Sequence, residues 1–241
     1  MRLIFTGNLS YTLVMNTRKA AINCVIKIIE YNKDYEKVIS QFAIELQYHS
    51  ELIKLTSGVI KNLMLLDYII EKTIKKPVNK LSKASRNILR LAVYEILFIK
   101  NPEYAVINTY VDISKEMENK TKGFINWALR EYTRIKSTIS LKGLSIKNKI
   151  SIAYSQPEWL IERWINEYGI PNTCKLCAYF NKPPQLVIRT NKIKISTENL
   201  KQLLIEKNIS FKTSKVPDCL IIEHRGNIKN LPGFQEGFWI V

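Results

Sequence analysis

The residue types that can do chemistry are few in this chain, and their spacing sorts them. Cys174-Lys-Leu-Cys177 has the CxxC spacing of zinc and dithiol sites. A structural zinc site needs four ligands, yet the only histidines, His49 and His224, lie far off in sequence without companions. A redox pair belongs at a helix start after a strand, where the dipole favours thiolate; a turn and Pro171 precede this one. Core packing is the expectation for this pair, as for Cys24 on an apolar helix face and Cys219 at a strand start. No catalytic, cofactor-binding or metal residue is assigned. The remaining candidates are cations. Arg86 and Arg90, four apart, share a helix face, and Arg130 and Arg134 repeat that spacing with Lys120 and Lys122 just ahead. Guanidinium forks so placed either grip phosphates bidentately, or simply form a solvated face or are taken by intramolecular carboxylates such as Glu95 or Glu131. Trp159 and Trp164, five apart, either pack helices or stack on bases.

The elements that must position these residues follow from periodicity. Residues 16–139 read as an all-helical bundle. Asn16 or Thr17 caps a helix with Ala21, Cys24, Val25, Ile28 and Ile29 on one face, and a second runs through Val38, Ile39, Phe42 and Leu46. Ser50 opens a long third helix, apolar from Leu52 to Ile70, that must end before Pro77. The run from Ile88 to Ile99 is apolar on almost every side, which predicts the central helix of the bundle. Asn101-Pro102 breaks it, and helices over 104–117 and 121–136 follow. Residues 137–156, polar and Lys-rich, read as a linker, and helices start at Pro157, ending at Tyr168-Gly169, and at Pro171. Beyond Pro183-Pro184 the period changes. Strands are expected over Gln185–Asn191, Phe211–Val216, Cys219–Glu223 and Phe238–Val241, with a helix over Ser196–Lys207. The fold class is mainly α: a helical bundle over 16–139, linker helices over 140–180, and a small α+β subdomain over 181–241.

Composition agrees with a folded protein and tilts its partners. Of 241 residues 46% are hydrophobic and 24% charged, which excludes a disordered tail. No apolar run is long enough for a membrane span, and no membrane partner is expected. Residues 1–15 lack a cleavage signature and read as an N-terminal extension. With four Cys in no disulfide pattern, a reduced, cytoplasmic protein is expected. The net charge of +16 favours a polyanionic partner, although 28 of the 37 cations are Lys in an Ile- and Asn-rich chain, as AT-biased coding would give.

The string SRNILRLAVYEILFIKNPEYAVINTYVDISKE, then KGFINWALREYTR, resembles the NusB-type RNA-binding domain, and specifically the copy at the N-terminus of the RsmB/Sun (Fmu) rRNA cytosine-C5 methyltransferases. SQPEWLIERWINEYG, NKPPQLVIRTNKIKIS and LPGFQEGFWIV resemble that family's linker helices and small RNA-recognition-like, ferredoxin-like subdomain, in the same order. The ordered set covers about residue 16 to the last.

This resemblance implies an RNA-binding region that recognises small-subunit rRNA. Arg86, Arg90, Lys120, Lys122, Arg130 and Arg134 become candidate phosphate contacts. Arg189-Thr-Asn191 resembles the family's Arg-x-Asn motif on the RNA-facing side of the subdomain, which adds Arg189 and Asn191, unless Arg189 merely alternates outward. Asn108 and Asn126 match recurrent family positions, where capping or a buried hydrogen bond is expected; Trp127 departs from the small residue expected there. In the family, the phrase resembling Gly237–Val241 leads into the S-adenosylmethionine-binding domain, which carries both functional cysteines; no glycine-rich strand-to-helix turn occurs in this sequence. This chain by itself is therefore expected to bind no S-adenosylmethionine and to transfer no methyl group, with a separately encoded catalytic domain as the partner. The alternative is a stand-alone NusB-like adaptor of transcription antitermination or regulation, which residues 150–241 speak against. A split or decaying gene would leave exposed apolar surface where the lost domain would dock, around Phe234, Phe238 and Trp239.

Overall fold

The computed structural model describes residues 17–42, 46–223 and 228–241; the readings for residues 1–15, Asn16 and His224 lie outside them. The chain divides into two units, Met1–Asn181 and Lys182–Val241.

In the first unit, α1 (17–25) continues into a π-helical turn, Ile26–Glu30. Asp34 caps α2 (Tyr35–Gln41), accepting the Lys37 amide at 2.9 Å. The long helix expected from Ser50 is instead two, α3 (Leu46–Lys61) and α4 (Leu63–Ile74). The break falls at Asn62, whose φ of −116° and ψ of 19° leave the helical region while its side-chain amide donates to the Gly58 carbonyl at 2.8 Å. An Asn inside an apolar period competes for backbone hydrogen bonds in this way, and periodicity alone does not register it.

Ser82 caps α5 (Lys83–Tyr94), which runs into a second π turn, Glu95–Ile99, and stops at Lys100 in the left-handed conformation. Every residue from Asn87 to Ile96 is buried, and α5 packs on α3, α4, α6 (Glu103–Met117) and α7 (Lys122–Ile135). The all-round apolar run therefore does sit at the centre. At the α3–α5 crossing, Gly58 presses on Tyr94 so closely that a Cβ would fall 2.1 Å from the ring. Inside this core, Glu95 is fully buried and takes both Arg18 Nε and Nη2 at 2.7 Å, the Tyr110 hydroxyl at 2.6 Å and the Asn101 amide at 2.7 Å. Burial and the Glu95 carboxylate hold the Tyr110 phenol well above its ordinary pKa.

Part of the segment read as a linker is helical. Ser145 caps α8 (Ile146–Tyr154), Ile150 and Ser151 are buried, and the Ser155 hydroxyl accepts the Leu65 amide of α4 at 3.2 Å. The polar composition hides the short apolar face. The next segment, α9 (Glu158–Asn181), is two half-helices joined at Gly169, whose φ of 73° and ψ of 165° break the helix just before Pro171. Ile150, Ile161 and Cys177 form a small core between α8 and α9.

The second unit is an antiparallel four-stranded sheet in the order β2-β3-β1-β4, with β1 Leu186–Thr190, β2 Phe211–Thr213, β3 Cys219–Ile222 and β4 Trp239–Ile240. Ser196 caps α10 (Thr197–Glu206), and Leu200 and Leu204 from it meet Ile188, Leu220, Ile222, Leu231 and Trp239. The strand and helix expectations hold here to within a few residues. Trp239 is buried, its indole N–H bonded to the Pro232 carbonyl at 2.8 Å, and Phe234 and Phe238 pack against the same core. These rings fill the sheet unit's own interior, which corrects the expectation of an exposed patch there. Gly233 and Gly237, at φ of 82° and 65°, make the turn that brings them in.

Candidate nucleic-acid interface

The cations on α5 and those near α7 meet different fates. Arg90 is buried. It grips Asp67 with Nε and Nη2, both at 2.7 Å, and donates to Asn87 at 2.9 Å and Glu30 at 3.3 Å. Arg86 is also taken by Glu30. Of the two readings left open by the sequence, intramolecular pairing describes this pair, with Glu30 and Asp67 as partners. Glu95 belongs to Arg18.

On α7, Ile125, Ala128, Leu129 and Tyr132 face the core, and the opposite stripe is Gly123, Trp127, Arg130 and Arg134. Trp127 is 49% exposed, with its ring 5.9 Å from Phe124, so the departure from a small residue leaves the core packing intact. Arg130 is exposed and donates through Nε to Asn126 at 3.0 Å. Arg134 is exposed but engaged by the Glu131 carboxylate at 2.8 and 2.6 Å, a contact that holds Glu131 below its ordinary pKa. Lys120 and Lys122 are exposed at the helix entry. Their loop is fastened to the start of α5 by Glu118, which accepts from Ser82 and, at 3.1 Å, from Ser85. Asn108 is exposed on α6, which corrects the expectation of a cap or a buried bond.

Lys76 was missed by the sequence reading. Its ammonium lies 4.7 Å from the Phe124 ring centroid, at the edge of the same stripe. The only sequence signal was a Lys pair ahead of Pro77. The structure thus assembles Lys76, Lys120, Lys122, Trp127, Arg130 and Arg134 around α7: exposed cations interleaved with a ring, the composition that nucleic acid selects.

In the second unit Arg189 points out of β1 between the buried Ile188 and Thr190. Asn191 is a turn residue. Its amide donates to the Gly237 carbonyl at 3.1 Å, its Oδ1 accepts the Ile193 amide at 3.3 Å, and its backbone N–H reaches Phe238 at 2.8 Å.

Burial pushes the Cys24 thiol up to about 12 and raises Cys177 as well. Cys177 faces the small α8–α9 core and Cys174 is half-buried beside it. In the sheet unit every hydrogen-bonded strand pair is antiparallel, and Gly233 is packed so tightly that a Cβ would meet Phe238 and Trp239 at 3.1 Å.

Comparison with known proteins agrees with this geometry. The NusB family model matches residues 15–134, and the model described as Methyltr_RsmF/B-like, ferredoxin-like domain matches residues 156–229. A probable ribosomal RNA small subunit methyltransferase B of Synechocystis is 35% identical over 196 residues, 78% of this chain and 43% of that protein. The Bacillus subtilis protein of the same description is 26% identical over 92% of this chain and 51% of its own length. The crystal structure of PH0851 matches with a TM-score of 0.64 at 21% identity, covering 93% of this chain and 52% of that one, a likeness of fold. The chain spans about half the length of the curated relatives it matches. It belongs to the NusB family over residues 15–134 and carries, over residues 156–229, the ferredoxin-like domain of the RsmF/B-like methyltransferases.

Proposed function

We propose that this chain is the rRNA-recognition region of a small-subunit rRNA cytosine-C5 methyltransferase, with S-adenosylmethionine and the methyl-transfer chemistry supplied by a catalytic domain outside these residues. The observation that carries the reading is the exposed cationic stripe on α7 of a NusB-family bundle that is followed by the RsmF/B-like domain. A stand-alone antitermination adaptor has no use for that second domain. Recognition rests on shape and backbone: Lys120, Lys122 and Arg130 neutralise phosphates, while Trp127 offers a ring to an unpaired base. Arg86 and Arg90 support the site through the fold, because their charge is spent on Glu30 and Asp67.

The test is binding of small-subunit rRNA fragments across a salt series. Affinity falls steeply with salt in proportion to the phosphates engaged. Arg130→Ala or Lys122→Ala each lowers the slope of log K against log salt by about one with stability unchanged. Arg90→Ala lowers stability instead. Binding indifferent to salt, or equal in Arg130→Ala, Lys122→Ala and their double variant, would refute the reading.

A further inference from the structure

The two halves of α9 enclose a second aromatic surface that the bundle's cationic stripe does not include. Trp164 and Tyr168 from the first half, and Asn172, Lys175, Leu176, Tyr179 and Phe180 from the second, line a groove of about 750 Å³. Residues 172, 175, 176, 179 and 180 recur at helical spacing, so one face of the second half-helix is given to the groove while Thr173 and Cys177 are buried opposite. Phe180 lies stacked on Trp164 at 5.7 Å and 15° between planes, and meets the edge of Tyr179 at 5.8 Å. Tyr179 is 70% exposed and Phe180 55%. Rings of this size are normally buried, whereas Tyr179 and Phe180 stand exposed beside a half-buried Trp164.

The chemistry of the lining selects the occupant. Leu176 is its only aliphatic side chain, whereas a partner helix is held by aliphatic sockets. Three of the four rings carry polar tips, Asn172 adds an amide, and Lys175 is the one charged group lining the groove. Lys175 has no ion-pair partner among the described residues. On the first half-helix, Glu158 and Glu162 pair with Lys147. Stacked rings with polar edges, a free cation and no lining carboxylate match a nucleobase and its phosphate. The volume suits one or two nucleotides, within the range of about 300–1,000 Å³ for small-molecule sites.

We infer that the α9 groove is a stacking site for unpaired bases of single-stranded RNA, with Phe180 and Tyr179 as the platform and Lys175 as the phosphate contact. The inference rests on the RNA-recognition reading above and adds a second site to it, selective for single strands.

The test uses the full chain, an oligoadenylate carrying 2-aminopurine, whose fluorescence is quenched on stacking, and a duplex RNA of equal length. Wild type quenches the single strand on binding. Tyr179→Ala, at an exposed position, weakens single-strand binding by roughly 5- to 150-fold, the range for losing one base–aromatic stack, and Lys175→Ala, also exposed, weakens it while lowering the salt slope by about one. They reduce the quenching and leave duplex binding unchanged, whereas Arg130→Ala weakens both. Variants that bind and quench the single strand as wild type does, while Arg130→Ala still weakens RNA binding, would overturn the groove assignment and spare the RNA reading. A wild type that binds neither RNA at low salt overturns both. A concentration-dependent dimer that Tyr179→Ala dissociates would assign the groove to a second copy of the chain instead.

Discussion

Removing Arg18 isolates the energetics of the bundle core. Arg18→Met keeps the stem volume and deletes two charge-assisted bonds to Glu95, both 2.7 Å long. At about 1.5–3 kcal/mol each, the loss is roughly 3–6 kcal/mol, in line with about 3–5 kcal/mol for breaking a buried pair from one side. The carboxylate left behind is fully buried and keeps only the Tyr110 hydroxyl and the Asn101 amide. Against a domain stability of about 5–15 kcal/mol the variant is marginal, with its melting point down by roughly 6–20 °C. The assay is urea unfolding followed by helical circular dichroism. The control removes the whole network: Arg18→Met, Glu95→Met and Tyr110→Phe together leave an apolar core, and such replacements are often neutral or stabilising. The triple variant is expected to recover most of the single variant's loss. A loss below about 1 kcal/mol for Arg18→Met, or a triple variant no more stable than the single, would refute the reasoning, because the pair would then be effectively solvated.

Gly58→Ala places a methyl 2.1 Å from the Tyr94 ring and should cost about 1–3 kcal/mol or more, whereas Gly123→Ala, with nothing within 4 Å, should be neutral or stabilising by about 0.5–1 kcal/mol; thermal melts of the two variants check the contrast. In native protein near pH 8, Ellman's reagent should modify Cys174 first and reach Cys24, held near 12 by burial, only on unfolding; early loss of the Cys24 thiol by mass spectrometry would contradict this. The Asp218 carboxyl bonds Lys192 and Thr197 at 2.8 and 2.9 Å, chiefly the Lys192 contact holding it below the ordinary 3.8. Its folded pKa lies under its unfolded one, so its stabilisation is complete above about 3.8 and fades as pH falls through the folded value. Asp218→Asn should therefore destabilise the sheet unit at neutral pH and converge with wild type once the pH has fallen below the folded pKa; a gap that does not narrow in acid counts against it.

Much of this architecture is legible in sequence because single residues enforce it. Ser82 and Ser196 each cap the helix that follows, accepting an amide three residues on at 3.1 Å. Pro77, Pro102 and Pro171 punctuate where the backbone leaves the helix. The strands of the sheet unit are legible because Leu186–Thr190 and Cys219–Ile222 are short apolar, β-branched runs bounded by Pro183-Pro184 and Pro217-Asp218. What escaped has physical causes. The Asn62 break depends on a side-chain bond to Gly58, and α8 owes its place to burial of two residues in a polar stretch. Lys76 is 48 residues from Phe124 in sequence and meets it only through the packing of α4 and α7.

The arginine pairs show how the candidate site could have been narrowed further. Both pairs have the same spacing, and spacing places two guanidinium groups on one face without saying whether that face meets water. The flanking pattern does say so. From Ile88 onward the helix is apolar on almost every side, so no solvent face exists for Arg90, and a buried guanidinium must find carboxylates. Glu30 and Asp67 are those carboxylates, contributed by α1's π turn and by α4. Around Arg130 and Arg134 the apolar residues occupy one side only, which leaves the other to solvent. The same inference separates the cysteines, since a thiol on the inner side of an amphipathic helix loses its acidity to burial, as Cys24 does. Under the proposed function an α5 arginine acts on RNA only through the fold, and an α7 arginine acts on it directly. Stability and salt-slope measurements on Arg90→Ala and Arg130→Ala are consequently expected to move in opposite columns, and a variant series in which both change together would dissolve the distinction.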